Sequence, residues 1–78
     1  MHHAIINANV SIGNNCIINS KALIEHDCSI SNNCHISTNA TINGKVKIGS
    51  KCFIGSNVTV KDNTTIEENS FIKAGTFI

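Results

Sequence analysis

The sequence predicts an all-β fold, one triangular parallel β-helix over residues 1–78, in about four coils of 18 residues with no inserted loop. Three observations predict it. Aliphatic residues recur at every sixth position, as Ile6, Ile12, Ile18, Ile24, Ile30, Ile36, Ile42, Ile48, Ile54, Val60, Ile66, Ile72 and Ile78, with no interruption. A small residue stands two positions before each, from Ala4, Val10 and Cys16 through Val58, Thr64, Ser70 and Thr76. Asn stands three positions after many of them, as Asn9, Asn15, Asn33, Asn39, Asn57, Asn63 and Asn69, with Asp27 and Gly75 in the same register.

Each element follows from that period. Neither a 3.6-residue helix nor a plain hairpin repeats strictly every six residues, whereas a chain that turns a corner every six does, giving three short strands per coil. Ile and Val fill the interior of each side, where β-branched side chains suit a pleated wall. The small residue fits the crowded inner corner. Asn, Asp and Gly tolerate positive φ, so their register marks the turns. The spacing alone leaves the hand of the coil open.

A domain of 78 residues buries only about 60% of its unfolded surface, so a further source of stability is expected. The net charge of +1 lacks the basic field that nucleic acid requires. No apolar run approaches the ~20 residues of a membrane span, and no basic segment leads into an apolar one at the N-terminus. The expectation is a soluble, cytoplasmic protein with neither nucleic acid nor membrane as partner, and with an unordered start at His2 and His3. Cys16, Cys34 and Cys52 form one column and, with Cys28, occupy the small inward slot. None has CxxC spacing, so they are read as structural thiols of a reducing compartment, with no metal.

Residues 18 apart should lie in neighbouring strands about 4.8 Å from each other. Outward positions then form three columns: Ile17, His35, Phe53 and Phe71; Ile5, Leu23, Thr41, Thr59 and Phe77; and Ser11, Ser29, Lys47 and Thr65. Two faces are partly apolar and one is polar. Exposed apolar stripes on a three-sided prism imply packing around a threefold axis, hence a homotrimer.

A fourth column, at a corner, holds Ala8, His26, Gly44 and Asp62. It sets a group that titrates near neutrality one strand from a glycine whose N–H a ligand can approach. A base for the attacking group and a fixed donor for an oxyanion are what acyl transfer needs. Asp27 and Glu25 are both candidates to orient the imidazole, and Lys45 stacks over Asp27 as a competitor. The alternative reading of His26 is a solvated corner residue.

The repeat resembles the left-handed β-helix of hexapeptide-repeat acyltransferases over the whole chain. More narrowly, IEHDCSI, CHIS and NGKVKIGSKCFIGSNVTV resemble the catalytic domain of bacterial sugar O- and N-acetyltransferases, the group that includes sialic acid O-acetyltransferase and the UDP-amino-sugar N-acetyltransferase of bacillosamine synthesis. The resemblance implies His26 as general base, Asp27 as its orienting acid, His35 near the acetyl group and acceptor, and Gly44 as amide donor to the thioester carbonyl. It also implies acetyl-CoA as co-substrate along the backbone near Gly44, Ser56 and Ala74, and active sites formed between protomers. His35 has a second reading as an interface residue beside Phe53. Sugar-binding domains usually precede this fold in the family, so a separate domain is an expected partner for holding the small-molecule sugar acceptor.

The expected function is therefore acetyl-CoA-dependent transfer to an amine or hydroxyl of a sugar or nucleotide sugar. The alternative is a non-catalytic trimeric β-helix scaffold, or a truncated remnant of such an enzyme. A γ-type carbonic anhydrase needs three convergent histidines, and His26 and His35 lack a third. An ice-binding ladder is interrupted by Leu23 and Phe77 in the Thr41–Thr59 column.

Overall fold

The computed structural model describes residues 4–78, so the expectation for His2 and His3 lies outside the described residues. Two-residue strands recur every six positions: β1 (Ile5–Ile6), β2 (Ser11–Ile12), β3 (Ile17–Ile18), β4 (Leu23–Ile24), β5 (Ser29–Ile30), β6 (His35–Ile36), β7 (Thr41–Ile42), β8 (Lys47–Ile48), β9 (Phe53–Ile54), β10 (Thr59–Val60), β11 (Thr65–Ile66) and β12 (Phe71–Ile72). They build three four-stranded parallel sheets. Face one stacks β1, β4, β7 and β10; face two stacks β2, β5, β8 and β11; face three stacks β3, β6, β9 and β12. Each residue pairs with the one a full coil later, as Ile24 with Ile42 and His35 with Phe53. This is the predicted parallel β-helix, and the predicted outward columns hold in the same order.

Strands this short are stable only because the coil above completes each ladder. Glu25 N–H donates to Ile42 O at 2.8 Å, and Ser31 N–H to Ile48 O at 2.9 Å. The second residue of each strand points inward, so Ile24, Ile36, Ile42 and Ile54 are fully buried with Ala22, Ala40, Val46 and Val58 between them. The core is a column of aliphatic layers.

Corners sit where the Asn register predicted them, yet three further residues share that geometry. Lys21, Lys45 and Lys51 have φ of 62°, 61° and 60°, matching Asn57 at 60° and Asp27 at 62°. A side chain with a Cβ costs roughly 1–2 kcal/mol in this region. The ladder on either side fixes the corner, and the local preference yields to it.

The cysteines point inward as expected, and they do more than fill space. At the corner between faces three and one, the chain closes its own turns, with Ala22 N–H donating to Asn19 O and Ala40 N–H to Ser37 O, both at 3.2 Å. At the corner between faces two and three, thiols take over that task. Cys16, Cys34 and Cys52 Sγ each lie 3.1 Å from the carbonyls of Ser31, Gly49 and Glu67 in the next coil. Cys28 Sγ does the same for Asn43 O at 3.0 Å. Burial pushes the Cys28 and Cys34 thiols above the usual cysteine range, which keeps the donating proton in place. Ala22, Ala40 and Val58 stand in turns that the backbone closes, whereas Cys16, Cys34 and Cys52 stand in turns that it does not.

Replacing Lys51 with Gly should relieve the corner and raise stability by up to about 1 kcal/mol, whereas Asn57→Val should lower it by at least as much. Chemical denaturation of both variants measures the difference, and equal stabilities would contradict a strained lysine corner.

Candidate active site

The corner between faces one and two carries His26–Asp27, Gly44–Lys45 and Asp62–Asn63 on successive coils. Backbone bonds pin these turns to one another. Lys45 N–H donates to His26 O and Asn63 N–H to Gly44 O, both at 2.9 Å, and Asp27 N–H donates to Ala8 O at 3.1 Å. The stacking places Gly44 directly over His26, as the numbering requires. Among the described residues the Gly44 amide donates to no backbone carbonyl. Gly44 itself is buried, and its donor is left without a backbone acceptor.

Within the turn, His26 Nδ1 lies 2.9 Å from Asp27 Oδ2. An ionised carboxylate only accepts, so Nδ1 carries the hydrogen, and in the neutral ring Nε2 is left with its lone pair free. The hydrogen bond from His26 holds the Asp27 carboxyl below the usual carboxylate range, with its positive charge, Asn9 and Lys45 acting in the same direction. Lys45 acts on the Asp27 carboxylate through its charge, without an ion-pair contact.

The imidazole is 55% exposed, yet it is seated on the turn above it. A Cβ built on Gly44 would lie 2.8 Å from His26 Nε2 and 2.9 Å from Cε1, so the ring rests against the glycine backbone. Real Cβ atoms do not approach this closely; any side chain at position 44 must displace the ring. Gly44 therefore has two properties here, a free amide and the missing side chain that seats the imidazole.

Of the two candidate orienting acids, Asp27 makes the contact. Glu25 Oε1 instead accepts from Asn7 Nδ2 at 2.6 Å, turned toward the coil below. Glu25 still borders a groove of about 410 Å³, whose other walls are His26, Asn43, Gly44, Lys45, Lys61, Asp62 and Asn63. Asn43 is fixed by donating through Nδ2 to Val60 O at 3.0 Å. Lys61 and Asp62 were not singled out as site residues from the sequence, although Asp62 belongs to the His26 column. Their signal was position alone.

Other expected site residues lie elsewhere on the prism. His35 projects from β6 on face three, where its Nε2 accepts from Asn19 Nδ2 at 3.0 Å and its ring meets Phe53 edge-on, with centroids 5.0 Å apart. Phe53 in turn stacks on Phe71 at 5.0 Å. Ser56 and Ala74 occupy the corner between faces three and one, joined by Gly75 N–H donating to Ser56 O at 2.9 Å. One chain therefore gathers Glu25, His26, Asp27 and Gly44, and leaves His35, Ser56 and Ala74 on the far side of face one.

Gly44→Ala should displace the His26 ring without disturbing the ladder. The expected result is loss of the proton contact between the ring Cε1–H and residue 44, with hydrogen exchange of the Lys45 amide unchanged; retention of the contact would contradict the steric reading. Asp27 should titrate below the usual carboxylate range and move back up in His26→Ala. The sign is that of a depressed acid, whose contribution is present above the unfolded value and is lost as pH falls through the folded one. An Asp27 titration unaffected by His26→Ala would remove the pairing.

No curated protein and no solved structure matches the chain. A family model described as bacterial transferase hexapeptide (six repeats) matches it over residues 9–44, 27–62 and 45–78. The matches begin at 9, 27 and 45, one coil apart, in step with the ladder. With nearly all of the described coil covered, the chain belongs to the bacterial hexapeptide-repeat transferase family, and its fold is the left-handed parallel β-helix.

Proposed function

We propose that this chain is the acyl-transfer domain of an acetyl-CoA-dependent sugar acetyltransferase, with an amine or hydroxyl of a sugar or nucleotide sugar as acceptor. The observation that carries the reading is the His26 imidazole, tied to Asp27 through Nδ1 and resting on Gly44. Family membership supports a transferase; the substrate pair is our inference.

The groove beside Gly44, about 410 Å³ in volume, suits a small reacting group with part of its carrier. Acetyl-CoA supplies the activated thioester. Nε2 of His26 takes a proton from the acceptor as its nitrogen or oxygen bonds to the acyl carbon, and Asp27 steadies the imidazolium that results. The Gly44 N–H donates to the oxyanion that forms. When the carbon–sulfur bond breaks, the imidazolium returns its proton to the departing thiolate. Glu25 borders the acceptor side.

A homotrimer completes the proposal. His35, Ser56 and Ala74 lie too far around the prism to serve His26 of the same chain, and a threefold neighbour supplies an equivalent set at the groove. Ile5, Ile17, Phe71 and Phe77 are exposed to 57%, 52%, 71% and 71% of their surface, an apolar area that a neighbouring copy would cover. No helix among the described residues is long and apolar enough to cross a membrane. Four free thiols suit the cytoplasm, where we propose the protein acts.

His26→Ala should lower turnover roughly a hundredfold to ten-thousandfold, with the thermal midpoint nearly unchanged because a corner side chain adds little to the core. Turnover equal to that of the unmodified chain would exclude His26 as base. Failure of the unmodified protein to transfer acetyl groups, even with a sugar-binding domain added, would favour the scaffold alternative. Sedimentation should give a trimer, and Phe53→Glu should weaken it by several kcal/mol through a buried unpaired charge; a monomer before mutation would remove the trimer.

A further inference from the structure

Each corner of the prism carries one lysine at positive φ, namely Lys21, Lys45 and Lys51, all exposed and with φ of 62°, 61° and 60°. Their backbones match and their surroundings do not. Of the three, only Lys45 lines the groove that holds His26 and Gly44. Its backbone N–H donates to His26 O at 2.9 Å, which fixes the two turns against each other. Its ammonium acts through space on the Asp27 carboxylate, the partner of His26 Nδ1. Yet no ion pair holds that ammonium, since among the described residues the one pair formed is His26–Asp27.

Chain order supplies the reach. Lys45 follows Gly44 directly, so their Cα atoms lie about 3.8 Å apart. A flexible four-carbon stem is longer than that separation and ends in a primary amine. An acyl thioester whose carbonyl oxygen rests on the Gly44 N–H therefore has its acyl carbon within range of the Lys45 side chain. A nucleophile already tethered beside the acyl carbon needs no second binding event, which favours reaction within the chain. The neighbouring His26 provides a base for the proton that such an attack must shed.

We infer that Lys45 is a self-acylation site, whose amine takes an acyl group from a thioester held at Gly44 with His26 as its base. The inference rests on the acyl-transfer reading above and goes beyond it, to a covalent modification of this chain. The Lys45 ammonium first releases one proton to water. The Nζ lone pair bonds to the acyl carbon, and His26 Nε2 takes one of the two remaining Nζ protons. The carbon–sulfur bond then breaks, and the imidazolium passes that proton to the departing thiolate. The products are an amide on Lys45 and a free thiol. The groove thereby exchanges a positive charge for a neutral acyl group beside His26.

The three corner lysines serve as one another's controls, and this comparison needs no variant to fold. The full chain is incubated with acetyl-CoA and, separately, with p-nitrophenyl acetate, a small acyl donor that requires no coenzyme site. Peptide mass spectrometry follows acetylation of each lysine with time. Lys45 should be acetylated at least about tenfold faster than Lys21 and Lys51, and His26→Ala should bring it down to their rate. Equal rates at the three corners, faster acetylation of Lys61 in the same groove, or a Lys45 preference that survives His26→Ala would each overturn the inference. Acetyl transfer to sugars is assayed in parallel. Selective, His26-dependent reaction of Lys45 with p-nitrophenyl acetate but not with acetyl-CoA would support Lys45 as the acceptor while sinking acetyl-CoA as the donor. Transfer to sugars with Lys45 acetylated no faster than Lys21 and Lys51 would sink the inference and leave the acyl-transfer reading standing.

Discussion

Every feature of this molecule depends on one constraint: each residue is hydrogen-bonded, through a parallel ladder, into register with the residue one coil away. Strands of two residues have no independent stability, and they persist because the coils above and below supply their partners at 2.8–3.1 Å. The ladder admits no insertion, so the six-residue period is a requirement of closure. A one-residue slip would carry the inward aliphatic residues to the surface. The same rule turns sequence positions into columns, and so a histidine and a glycine 18 residues apart become neighbours.

That rule made the backbone legible. Faces, core layers and outward columns follow from counting, and so does the stacking of Gly44 over His26. Side-chain direction at the corners did not follow, because it is set by partners in adjacent coils that spacing cannot rank. Asp27 and Glu25 flank His26 equally in the sequence; Asn7, from the coil below, draws Glu25 away. Lys21, Lys45 and Lys51 carry no residue-type signal for positive φ, and the ladder imposes it on them. The cysteines read as small hydrophobes, and only the turn geometry exposes the carbonyls that their thiols satisfy.

The division of residues among corners has a functional consequence. A prism can present a base and an amide donor at one edge, since they need only adjacent coils, but it cannot fold a distant face onto that edge. The proposed site therefore divides its labour, with His26, Asp27 and Gly44 from one copy and His35, Ser56 and Ala74 from another. Rigid stacking suits this arrangement, because preorganised donors cost no rearrangement when charge develops.

The central claim is that stacking seats the His26 imidazole on Gly44 with Nδ1 protonated toward Asp27 and Nε2 bare. Long-range nitrogen-15 correlation spectroscopy of the imidazole at neutral pH tests it most directly. The expected result is that the neutral form of the ring carries its hydrogen on Nδ1, with Nε2 showing the shift of an unprotonated nitrogen. A ring protonated at Nε2, or one averaging between both tautomers as a free histidine does, would contradict it.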